Sequence, residues 1–231
     1  SELPTTSGTD FWVSFSGQTG TLLGLYLSST ENAIATVHWP DGTTESATIP
    51  AGLVTTVDAT AKVAPYRAGT EVISNQSVRV TSDVPISVYY INYRANTTDA
   101  SVAIPSSSLG SSYVVMSYNP NRALSDSDER KSRMNIIATE PGTTSVVITP
   151  SVDLQGSRSA SQSFTVDLSQ GQVLATATAN YGDDLSGTVV VANKKVAVKS
   201  SVYLSGYNVA GSSGAHDTIF SQMIPMEAWG L

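Results

Sequence analysis

The sequence predicts an all-β fold of two tandem, pseudo-repeated β-sandwich-like units packed on each other. Three observations carry that expectation. Val, Ile, Thr and Tyr are frequent in a chain of 231 residues in which only 13% are charged, a pool that suits pleated, half-buried surfaces. Short alternating runs are punctuated by turn chemistry throughout. An internal repeat relates the two halves.

The runs begin with Phe11 to Phe15, then Leu22 to Leu27, Ala33 to Trp39, Leu53 to Val57, Val78 to Val80 and Ile86 to Ile91. Pro40-Asp41-Gly42 closes one as a tight turn and Pro50-Ala51-Gly52 opens another. Asn75-Gln76, between Val72-Ile73 and Val78, reads as a hairpin connection. No window holds an uninterrupted apolar stripe of helical period. The best helical turn is Ser125 to Arg133, where Asp126 or Ser127 can cap.

Gly69 to Ser82 aligns without gaps on Gly187 to Ser200, with about half of the positions identical. Ile49 to Val57 resembles Leu168 to Thr176, and Leu25 to Pro40 matches Asn135 to Pro150 in apolar pattern. Downstream, Asp99 pairs with Asp217 and Ile104-Pro105 with Ile224-Pro225. Each copy opens on an aromatic strand, Phe11-Trp12-Val13 or Tyr113-Val114-Val115. A duplication with units 1–105 and 106–231 follows, and units this small gain by burying surface against each other.

A net charge of −7 disfavours nucleic acid and anionic membrane surfaces, which need a basic face. No apolar run is long enough for a spanning helix, so membrane insertion is not expected. The absence of cysteine removes disulfides, thiolate metal sites and a Cys nucleophile. An acidic, Ser/Thr-rich chain without thiols fits an exported bacterial surface protein.

Three segments have a more particular character: Gly8-Thr9-Asp10-Phe11, then Thr81-Ser82-Asp83-Val84-Pro85-Ile86-Ser87-Val88, and His216-Asp217 leading to Pro225 and Trp229-Gly230. Together they resemble the N-terminal domain family named after the IgGFc-binding protein. The resemblance implies extracellular display and binding and supplies no catalytic residues. Animal members carry cysteines near the closing segment where this chain has none, so immunoglobulin binding does not carry over by name.

Candidate sites lie on loops. The polar stretch Tyr93 to Asp99 and its counterpart Asn208 to Asp217 are expected to emerge at equivalent places, giving Tyr93, Arg94, Asn96, Asp99, Asn208, His216 and Asp217 as candidate ligand-binding residues. The competing reading is that Asp99 and Asp217 cap their own loops. Calcium is the possible metal, at Asp126, Asp128 and Glu129 or at Asp183 and Asp184, against the reading of solvated acidic loops; no other cofactor is expected. Among the rings, Trp12 and Tyr89 are expected in the core, while Tyr93 and, with it, Arg94 are expected as an exposed pair on the polar loop.

The expected function is therefore a non-catalytic adhesion or ligand-binding module on a cell surface, monomeric in isolation, taking an extracellular protein or glycan. A spacer in a long surface fibre is the alternative. A hydrolase using His216 and Asp217 with Ser213 or Ser221 is the third reading, although no Gly-x-Ser-x-Gly elbow is present.

Overall fold

The computed structural model describes residues 5–17, 20–66, 70–120, 130–206 and 216–230. Among these residues fifteen strands are present: β1 Ser7–Ser14, β2 Leu22–Ser28, β3 Ala33–His38, β4 Thr44–Ile49, β5 Val54–Asp58, β6 Val72–Ser74, β7 Ser77–Arg94, β8 Thr97–Val102, β9 Gly110–Val114, β10 Ser132–Ala138, β11 Thr143–Thr149, β12 Phe164–Ser169, β13 Val173–Ala177, β14 Val189–Gly206 and β15 His216–Gln222. The fold is all-β, in two packed units. The expected helical turn lies outside the described residues up to 129, and Ser132 already opens β10.

One 18-residue strand organises each unit. The first half of β7 is flanked by β1 and β3, so that Val80 faces both Phe11 and Val37. Its second half is flanked by β2 and β8, and Tyr90 faces both Leu25 and Ser101. The strand thus passes from one sheet of a sandwich to the other, with the corner at Asp83-Val84-Pro85, where no ladder partner requires the proline's missing N–H. Asp83 Oδ1 secures the corner by accepting from the Ile34 amide at 2.8 Å. Phe11, Leu25, Val37, Ile86 and Tyr90 fill the space between the sheets.

The second unit repeats this order: β4-β3-β7-β2-β5 becomes β12-β11-β14-β10-β13, with β9 and β15 joining β14 as β1 and β8 join β7. Its corner is pinned in the same way, Asn193 Oδ1 accepting from the Ser145 amide at 2.9 Å. Val190 faces Tyr113 and Ile148 as Val80 faces Phe11 and Val37. Ser200 faces Met134 and Ser221 as Tyr90 faces Leu25 and Ser101. Gly8 meets Pro105 and Gly110 meets Pro225 so closely that a Cβ on either glycine would lie 2.5 Å from the proline side chain.

The strand order therefore repeats, but the gapless alignment of Gly69 to Ser82 on Gly187 to Ser200 is displaced. The structural counterpart of Val80 is Val190, eight positions before the Val198 with which the sequence aligned it. Similarity among short Val-rich strands misled the alignment, because a shift by an even number of residues keeps every side chain on the same face. By the same ladders Asp99 corresponds to Ile219 rather than to Asp217. Asn75-Gln76 does connect two strands, yet they diverge: β6 leaves its own unit and pairs with β13, Ile73 opposite Leu174. Gly69, expected in a turn equivalent to that of Gly187, lies outside the described residues.

The units meet on the outer face of β10, β13 and the second half of β14. Trp12 of β1 packs there with Ile104, Leu109, Ile137, Val173 and Ala197, a small apolar cluster separate from both sandwich cores. Beside it β8 and β15 cross-brace. Asp99 Oδ2 accepts from the Phe220 amide at 2.8 Å, and Ser101 Oγ accepts from the Gln222 amide at 3.3 Å. Phe220 continues into the first core, where its ring lies 5.2 Å from that of Tyr90.

Candidate functional site

The first predicted loop is shorter than expected, and most of the second, Asn208 to Ala215, lies outside the described residues. β7 and β8 are joined by Ala95-Asn96 alone, with Arg94 paired to Thr97. Asn96 occupies the left-handed region (φ 69°), which Asn tolerates better than most residues. Tyr93 is 51% exposed, so its ring is presented to solvent as the sequence suggested. Arg94, expected to be exposed with it, is instead half-buried and donates from Nη1 to the Tyr203 hydroxyl at 3.1 Å, which ties the hairpin to β14.

Asp99 is engaged more fully. Besides Phe220, the Ala100 amide donates to its Oδ1 at 2.8 Å. Burial pushes its carboxyl up from the usual range and the charge of Asp217 adds to this, while the two amides act against both. Its geometry is that of a brace between units and not of a cap on its own turn. Asp217 is exposed and accepts from the Thr218 amide at 2.8 Å. His216 opens β15 opposite Gly206. Asn208 and Ser213 lie outside the described residues, while the Ser221 hydroxyl donates to the Gln222 carbonyl.

The acidic candidates divide similarly. Asp126, Asp128 and Glu129 lie outside the described residues. Asp183 Oδ2 accepts from Asn180 Nδ2 at 3.1 Å, and Asp184 Oδ1 accepts from the Ser186 amide at 2.7 Å, so each secures its local turn. No group of three or more potential ligands able to hold a metal occurs among the described residues.

Several notable side chains were missed by the sequence reading because they become neighbours only when the units pack. Lys199 is buried in the joint, donating to the Ser14 carbonyl at 2.8 Å and lying 5.7 Å from the Tyr90 ring centre and 5.2 Å from that of Phe220. Burial pulls its ammonium well below the usual lysine range, with the positive charge of Arg133 a smaller push in the same direction. An unfolded lysine titrates near pH ~10.4, so between the lowered folded pKa and that value the unfolded state binds more protons. Stability linked to this group therefore rises with pH. Lys199→Met is expected to be more stable than the native chain at pH 7, with the difference shrinking toward pH 10; urea midpoints of both proteins across that range check it.

A second missed feature is a polar cleft of about 580 Å³ between Thr70-Glu71 and the loop from Asp153 to Ser159. Arg158 bonds Glu71 through two nitrogens at 2.9 and 3.2 Å across its rim, with the guanidinium 4.3 Å from the Phe164 ring centre. The aromatic expectations need one correction. Trp12 is buried, but Tyr89 is 47% exposed, because strict alternation in β7 turns Tyr90 inward and its neighbour outward.

Two joined sandwiches of repeated strand order define the class as an all-β, double β-sandwich domain. The family model for the IgGFc binding protein matches residues 99–231, from β8 to the closing segment, and the chain belongs to that family. The closing motif lies inside this span, whereas the opening Gly8 to Phe11 and the strand from Thr81 lie before it. No curated protein and no solved structure matches the chain.

Proposed function

We propose that the chain is an extracellular, non-catalytic binding module of a bacterial surface protein that takes a protein or glycan at the end formed by Tyr93, Arg94, Asn96, Asp99 and Asp217. Asn208 and His216 are included in this proposal from the sequence. Membership of a family named for binding a protein supports an extracellular ligand-binding role. The observation that carries the site is an exposed Tyr93 ring at a tight hairpin end whose Arg94, on the opposite face of the strand, is held by the Tyr203 hydroxyl of the second unit. A rigid mount with one exposed ring and adjacent polar groups suits recognition of a polar surface.

Protein and glycan arrays probed with the purified chain, with and without a chelator, test the ligand class and a calcium requirement at the acidic loops together. Tyr93→Ala is expected to weaken the retained ligand at least tenfold, while its thermal midpoint stays near the native value because the ring is exposed. Arg94→Ala should weaken binding and also cost about 1 kcal/mol of stability through the lost Tyr203 contact. Unchanged binding in both variants removes the site from this end.

A further inference from the structure

We propose that copies of this chain associate head to tail, the Tyr26–Tyr89 face of one seated on the Met116–Ile219 mouth of the next, repeating the joint that already holds the two units together. The inference goes beyond ligand binding and concerns different surfaces. It rests on the equivalence of the units. Within the chain, the outer face of β10, β13 and β14 covers the side of the first unit where β1 and β8 leave its core open. Each half of that joint has a counterpart in the other unit that nothing among the described residues occupies in this way.

The counterpart of the covering face is the outer face of β2, β5 and β7. By the ladders, Asn135 and Lys199 correspond to Tyr26 and Tyr89, and Val173 to Val54. These three are 36%, 47% and 62% exposed. The counterpart of the covered mouth lies between β9 and β15. Ser14 corresponds to Met116 and Asp99 to Ile219, themselves 59% and 36% exposed. They border a cleft of about 300 Å³ that also contains Tyr118, Ser221 and Met223.

The exchange of residue types points the same way. The joint inside the chain holds Ser14, Asp99, Asn135 and Lys199, each in a hydrogen bond. The two open counterparts carry Met, Ile and Tyr at those positions. Surfaces destined for water would be expected to become more polar than a buried joint, and these become less so. A heterologous contact of this kind leaves the same two faces open at the ends of each assembly, so it propagates as a filament unless its rotation closes a ring. The monomer expected from the sequence would then hold only in dilute solution.

The absence of cysteine makes a direct test possible. Ser14 Oγ and Asn135 Nδ2 are 3.0 Å apart in the existing joint, which places their counterparts Met116 and Tyr26 within reach of a disulfide between chains. Single variants Met116→Cys and Tyr26→Cys, each confirmed to melt like the native chain, are mixed under mild oxidation. The mixed dimer is expected to form several-fold faster than either homodimer, or than either variant with Thr43→Cys at a remote hairpin tip. The double variant should give a ladder of oligomers. Adding Tyr89→Glu to the Tyr26→Cys chain should reduce the mixed rate to that of the Thr43 control, because a carboxylate would face the backbone carbonyl that takes the lysine ammonium in the existing joint. Equal rates for all pairs, preferred homodimers, or indifference to Tyr89→Glu overturns the proposal. Neither chain alters Tyr93 or Arg94, so this result is independent of ligand binding.

Discussion

Residues 1–105 expressed alone are expected not to unfold cooperatively, although they contain β1 to β5, β7 and β8 of one complete sandwich. Cutting after Pro105, where we propose the boundary between units, removes Phe220 from the first core and bares Tyr90, against which it packs. β6 loses β13, its only ladder partner among the described strands. Trp12 and Ile104 lose Ile137, Val173 and Ala197. Asp99 and Ser101 lose the amides of Phe220 and Gln222. Small domains have only a few kcal/mol in reserve, on the order of 5–15, and several of these losses cost about 1–3 kcal/mol each. Calorimetry should show a broad, weak transition, and co-expression with residues 106–231 should restore a sharp one. A sharp transition in the isolated half at the temperature of the whole chain would show that the units do not depend on each other.

The parts of this architecture that were legible in the sequence are those written in local patterns. Alternation placed β1, β2 and β3 and paired Phe11 with a buried face, and Pro40-Asp41-Gly42 supplied a turn, its Gly42 in the left-handed region (φ 83°). The duplication was visible because both copies keep the aromatic opening strand and the Ile-Pro before a closing 3₁₀ turn, Ile104-Pro105 and Ile224-Pro225. Register was not legible. Long Val-rich strands such as β7 and β14 tolerate an even shift without moving any residue between core and solvent, and what distinguishes the true register is a side chain to backbone bond at the corner, from Ile34 to Asp83 and from Ser145 to Asn193. Nor did the sequence reveal that β6 crosses to the other unit, since its three residues are an ordinary short apolar run. At the candidate site the exposure of the Tyr93 ring was legible. The bond from the Phe220 amide to Asp99 was not, because a carboxylate bracing a distant strand and one capping its own turn have the same local sequence.

Trp12→Ala is expected to be the most damaging single substitution in the joint, at about 3–5 kcal/mol. The side chain is 7% exposed and forms the centre of the apolar cluster between the units, with Ile137, Val173 and Ala197 on the far side. Its large ring area, and not a polar contact, supplies the energy: the indole Nε1 makes no hydrogen bond among the described residues. Trp12→Phe should accordingly cost less than half as much, because it removes area without stranding a partner. Arg79 lies 5.3 Å from the Trp12 ring centre and is also paired with Asp10 at 2.8 Å, at the margin of the joint. Arg79→Ala should therefore lose only about 0.5–1 kcal/mol. For a chain of this length the Trp12→Ala cost corresponds to a fall in thermal midpoint on the order of 10 °C. The shape of the transition carries further information, because a cavity confined to the joint loosens the coupling between sandwiches more than either core. Denaturant unfolding followed by circular dichroism should separate into two transitions in Trp12→Ala while Trp12→Phe retains one. A single sharp transition with a loss below about 1 kcal/mol would mean that the joint is held by its polar braces, Asp99 and Ser101, and not by this ring.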